Sequence, residues 1–114
     1  MRFFLLLVLS LAIFSFSDAQ GYSQTQFDPN NQLLVGILNY GIAQATFAAN
    51  ANGQLAGQWY WTDVLSLETE EVSGTNNYAF TVDIANYSGD TATIMVLVSV
   101  APGGTESLKN YAIM

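Results

Sequence analysis

The 114-residue chain contains no cysteine and no histidine, and its only basic residues are Arg2 and Lys109. The missing cysteines exclude a disulfide framework and a thiol nucleophile, so stability has to come from packing and the backbone ladder. The missing histidines remove the usual general base near neutral pH and, with cysteine also absent, the best zinc ligands. Against two basic residues stand nine Asp and Glu, for a formal net charge of −7. A field of that sign repels nucleic acid, heparin-like polymers and acidic membrane faces, so no nucleic-acid partner is expected.

The carboxylates themselves offer little chemistry. Asp63, Glu68, Glu70 and Glu71 could in principle supply an acid/base pair for glycoside hydrolysis. They lie, however, along one strand end and its turn, where charges are ordinarily just solvated. Glu68, Glu70 and Glu71 lack the dense Asp/Asn spacing of calcium loops. The expectation is therefore a binding protein that is not an enzyme and uses no cofactor or metal.

Long apolar sequence occurs only at the N-terminus. Met1-Arg2 gives a short positive start, Phe3 to Phe16 is almost unbroken apolar sequence, and Ser17-Asp18-Ala19 supplies small residues at its end. This reads as a secretory signal peptide over residues 1–19; the run is too short and wrongly flanked for a spanning helix. Cleavage after Ala19 is expected, with Ser17 as the alternative. Removing Arg2 and Asp18 cancels one charge of each sign and leaves the total at −7. Residues 20–114 form one expected domain, secreted or held in the lumen of the secretory and endolysosomal pathway, with no membrane insertion. Within it, Asn86-Tyr87-Ser88 is a sequon set among turn residues, a candidate glycosylation site.

The hydrophobic period changes along this domain. Residues 20–32 are polar and irregular, ending in Asp28-Pro29, which reads as a helix N-cap and first helical position. Leu33, Ile37, Tyr40 and Phe47 then recur at helical spacing, with Leu34, Leu38 and Ala45 widening the stripe. Gly36 and Gly41 interrupt this pattern, and glycine on an inward helix face signals close approach of another element. "ANANGQ" supplies the Asn and Gly of a helix C-terminus. From residue 55 the period falls to two, with strands expected over 55–72, 75–85, 91–100 and 105–113. The third, "TATIMVLVSV", is apolar enough to be central, and the last reads as an edge strand carrying Lys109. The expected fold is α+β, one long N-terminal helix packed across a four- to five-stranded antiparallel sheet.

Between the first two strands stands "EEVSG", Glu70 to Gly74, followed by "TNNYAF" and preceded by "WTDVLSLET". Gly21 lies ahead of the helix, and Pro102 lies between the last two strands. In this order and spacing the chain resembles the cystatin family, inhibitors of papain-like cysteine proteases, whose first hairpin carries Gln-x-Val-x-Gly. The resemblance covers essentially the whole of residues 20–114 and is closest to the disulfide-free branches. It implies a reversible, non-covalent inhibitor of cathepsin-type enzymes that occludes the active-site cleft. The implied contact residues are Gly21 in the arm, Glu70, Glu71, Val72, Ser73 and Gly74 in the first hairpin, and Pro102 and Gly103 in the second. Three departures stand out: Glu70 replaces the family's Gln, Gly103 its Trp, and the arm ahead of Gly21 is short. They point to an alternative reading, a secreted module of cystatin fold that binds another protein without inhibiting proteases. A monomer is expected, with exchange of hairpins between copies as the route to a dimer.

Overall fold

The computed structural model describes residues 21–114; the expected signal peptide, residues 1–19, lies outside them. The chain runs β1 (Ser23–Gln24), α1 (Gln32–Ala51), β2 (Trp59–Val72), β3 (Thr75–Asn86), β4 (Thr91–Val100) and β5 (Glu106–Ile113). The five strands form one antiparallel sheet in sequence order, and α1 lies across one face. This is the expected α+β arrangement of a cystatin-like fold, with the short β1 completing the sheet.

The helix starts later than Asp28-Pro29. Asn31 is the N-cap, its side-chain oxygen accepting from Leu33 N at 3.1 Å and Leu34 N at 3.3 Å. Asp28 instead closes a turn, accepting from Asn30 N through its side chain and from Asn31 N through its carbonyl. Asn and Asp cap equally well, and the turn built on Pro29 leaves the capping position to Asn31. At the other end Gly53 takes φ +75°; its N–H bonds Asn50 O, and Gln54 N–H bonds Ala49 O. Those two bonds make a Schellman motif, as the Asn-Gly ending implied.

The inward face of α1 is Leu34, Ile37, Leu38, Gly41, Ile42, Ala45, Thr46 and Ala49. Leu33 and Phe47, expected inside, are 68% and 75% exposed. The inward stripe is rotated from the expected one so that Gly41 and Ala45 lie among Leu34, Ile37, Leu38 and Ile42 against the sheet. The helix comes close to the sheet at Gly41: a Cβ there would fall 2.7 Å from Val98 Cγ2 and 3.3 Å from Val96 Cγ2. Gly36 has open space around it and plays no such part. The helix meets Leu67, Phe80, Val82, Ile84, Ile94, Val96 and Val98, the inward positions of β2, β3 and β4. Burying each such side chain stabilises the fold by about 1.5–3 kcal/mol. Phe27, in the connection from β1 to α1, closes one flank with edge-on contacts to Trp61 and Phe80.

β2 begins at Trp59 rather than residue 55: Leu55 packs against the core and Gly57, at φ +80°, turns the chain into the strand. Register shifts at Trp61/Asp63 and Val64/Ser66 bend β2 where β1 no longer covers its edge. Such bulges blunt an open edge against pairing with other chains.

The two helix glycines make a paired prediction. Gly36→Ala should stabilise by about 0.5–1 kcal/mol, the helix-propensity gain with nothing to meet. Gly41→Ala should destabilise by about 1 kcal/mol or more, because Val98 and Val96 are stiff and already close-packed. Urea midpoints of the two variants check both signs.

Candidate functional site

Three backbone segments meet at one end of the sheet. β2 runs in and β3 runs out through a two-residue turn, Ser73-Gly74, with φ of +53° and +85°. Positive φ at both positions is the type I′ geometry, whose twist matches the strands and so makes a stiff tip. The ladder persists up to the turn: Glu70 pairs Asn77, Glu71 pairs Asn76 and Val72 pairs Thr75. The tip is thus Ser73-Gly74, while Glu70, Glu71 and Val72 are strand residues just behind it. Val72 is 52% exposed, an apolar side chain offered to solvent beside the turn.

The β4–β5 loop lies alongside. Gly104 N–H bonds Ala101 O at 2.8 Å and Ala101 N–H bonds Thr105 O at 2.9 Å, folding Pro102 and Gly103 outward. Both are exposed, and Pro102 touches the first hairpin: a Cβ on Gly74 would stand 3.2 Å from Pro102 Cγ. A third segment joins them. β1 pairs with β2 through Ser23↔Thr69 and Gln24↔Glu68, which carries Gly21, at φ +83°, to the same end. A Cβ on Gly21 would lie 3.7 Å from Glu70 Oε2. Gly21, the first hairpin and Pro102 are therefore neighbours, although about eighty residues separate the first from the last.

Glu70 does not point out of this end. Its side chain lies on the sheet face away from α1, where Asn77 Nδ2 donates to Glu70 Oε1 at 3.4 Å. Asn77 Oδ1 in turn accepts from the Ser99 hydroxyl, so a polar row crosses β4, β3 and β2 in register. One row further in, Gln24 Nε2 donates to Glu68 Oε2 at 3.0 Å. Glu71, on the opposite side of the strand, is exposed.

Tyr22 carried no signal in the sequence, being a lone large residue in a polar stretch. It is buried on the face away from the helix, in a cluster with Ala79 and Leu97. Ala79 is the small residue whose size makes room for the ring. This contact anchors the arm immediately after Gly21. Burial pushes the Tyr22 hydroxyl up to about 12, with the charges of Glu70 and Glu68 adding to the effect.

No family model matches the chain, and no curated protein matches it either. Asn86, the sequon residue, lies at the other end of β3 and takes no part in this constellation. Among the described residues no group of three or more Asp and Glu is placed to hold a metal ion.

The Tyr22 shift sets a pH dependence. Below pH 10 the hydroxyl is neutral in both folded and unfolded chains and gives no slope. As pH rises from 10 to 12 the unfolded tyrosine ionises first, so stability falls through that window. Tyr22→Phe has no proton to lose there. Urea midpoints of the two proteins should keep a constant gap up to about pH 9–10, after which wild type declines relative to the variant.

Proposed function

We propose that the protein is a secreted, reversible, non-covalent inhibitor of papain-like cysteine proteases, as its resemblance to the cystatin family implies. The observation that carries this reading is the convergence of Gly21, Val72 to Gly74 and Pro102-Gly103 at one end of the molecule. An arm and two hairpin tips side by side make a wedge. A wedge can fill a protease cleft and cover its catalytic pair without forming or breaking a bond, so it needs no histidine or cysteine of its own.

Affinity in such a device comes from stiffness. A type I′ turn supported by the ladder, and an arm pinned by Tyr22, lose little freedom on docking. Val72 supplies an apolar contact, and Pro102 to Gly104 present an uncharged second tip. The carboxylate of Glu70 is less of an obstacle than its position in the motif suggests. It is held against Asn77 on the side of the sheet and is not thrust into the partner, so its desolvation is not the dominant cost of docking. What the second tip lacks is an anchor. An aromatic hot spot is worth on the order of 2 kcal/mol, a factor of about 30 in affinity.

Titration against papain-like proteases tests the proposal, using protein that begins at the residue found by N-terminal sequencing. Inhibition competitive with substrate is expected at micromolar or lower concentration. Gly103→Trp should tighten it roughly 30-fold by restoring an anchor, whereas Glu70→Gln should change it less than about threefold, under 1 kcal/mol. Gly74→Ala should weaken it, because the added Cβ meets both a positive φ and Pro102. Absence of inhibition by wild type and by Gly103→Trp alike would assign the fold to binding of a different kind.

A further inference from the structure

The end of the sheet remote from the hairpin tips has a surface of its own. An open groove of about 640 Å³ runs between the last turns of α1, the start of β2 and the β3–β4 turn. Phe47, Trp59, Tyr60 and Tyr87 wall it, with Asn50 and Gln58 adding amides, and no charged side chain lines it. In a chain of net charge −7 that neutrality selects an uncharged occupant. The aromatic walls are displayed openly: Phe47 is 75%, Tyr87 84% and Tyr60 41% exposed. The rings of Tyr60 and Tyr87 sit 5.1 Å apart at 40°, a tilted aromatic pair presented together at the surface.

The sequon lies on the rim of this groove. Asn86 pairs with Trp59 across the sheet, and Tyr87, its middle residue, is itself a wall. The turn is built on the Asn86 side chain: Oδ1 accepts from Ser88 N at 3.0 Å and Asp90 N at 2.9 Å, and Nδ2 donates to Asp90 Oδ2 at 3.1 Å. Ser88 contributes only its backbone N–H to this arrangement, and its side chain is exposed.

We propose that Asn86 carries an N-linked glycan whose first sugar rings lie on the Tyr60–Tyr87 pair and cover the groove. Asn86 Nδ2 would attack the anomeric carbon of a lipid-linked oligosaccharyl diphosphate. The N–C bond forms, the bond from that carbon to the phosphate oxygen breaks, the lipid diphosphate leaves and one Nδ2 proton is lost. The other Nδ2 hydrogen remains available to Asp90. A pyranose suits the surface, since its C–H faces pack on aromatic rings and its hydroxyls meet amides. Attachment at the rim replaces a weak bimolecular contact with an effective concentration on the order of millimolar. The inference rests on the reading of residues 1–19 as a secretory signal and is independent of protease inhibition.

Expression of the full 114-residue chain in a eukaryotic secretory host tests it. The protein recovered from the medium should carry the mass of one glycan, removable by a peptide N-glycosidase and absent from Ser88→Ala. That variant keeps the N–H that Asn86 accepts, so the turn survives while the sequon is lost. Bare protein in the medium would overturn the glycan alone; unmodified chain retained in the cytosol with residues 1–19 attached would overturn the secretory reading as well. Coverage of the groove is read by melting temperature. Ser88→Ala should melt roughly 2–5 °C below the glycosylated protein, and this gap should vanish in a Tyr60→Ala background. An equal gap in both backgrounds would show that the sugar does not lie on the aromatic pair. Dimerisation of Ser88→Ala that Tyr60→Ala abolishes would assign the groove to a second copy instead.

Discussion

The closeness of α1 to the sheet at Gly41 is the constraint on which the rest depends. With no cysteine in the chain, the core between helix and sheet carries the stability that disulfides would otherwise supply. The contact fixes the rotation of the helix. Once Gly41 faces Val98 and Val96, Ile37, Leu38 and Ala45 must lie inward and Leu33 and Phe47 outward. That rotation also determines the surface: it exposes Phe47 and so creates one wall of the groove at the far end. The two ends of the molecule are thereby given different characters, one of stiff backbone turns and one of exposed aromatic rings.

The turn end illustrates how position in a motif and position in space can differ. Glu70 occupies the place of an amide in the pattern it resembles, which at first sight puts a charge at the contact surface. In the folded chain the ladder runs past it to Val72, and its carboxylate turns aside to Asn77 and toward the arm at Gly21. The polar row from Ser99 through Asn77 to Glu70 is what keeps it there. Tyr22 supplies the apolar counterpart, resting on Ala79 and Leu97 and holding the arm against the first hairpin. The face of the sheet away from the helix therefore braces the arm and the first hairpin, and is not an idle solvent face.

Much of this was legible in the residues, and the failures have physical causes. Alternation in β3 and the apolar run of β4 gave strand identity because a strand shows its neighbours every second residue. The helix was legible as a helix but not in its rotation. The expected stripe shared Leu34, Ile37, Leu38 and Ala45 with the buried face but left out Ile42 and the small Ala49, while the larger Leu33 and Phe47 drew it toward themselves. Its start was misplaced because Asp28 and Asn31 are both good caps and only the tertiary path of the chain chooses between them. The hairpin positions were legible through Gly74 and Pro102, and their placement side by side only through the resemblance, since the contact depends on the register of β3 with β4. Tyr22 and β1 were missed because two paired residues in a polar stretch leave no periodicity to read.

The central claim is that the arm and the two hairpin tips together form the contact surface for a protease cleft. Its most direct test is a footprint by backbone NMR, adding a papain-like protease whose active-site thiol has been methylthiolated to an isotope-labelled sample. Resonances of Gly21, Val72 to Gly74 and Ala101 to Gly104 should shift or broaden together while those around Phe47, Tyr60 and Tyr87 stay in place. Changes confined to the aromatic end, or none at protease concentrations well above micromolar, would contradict it.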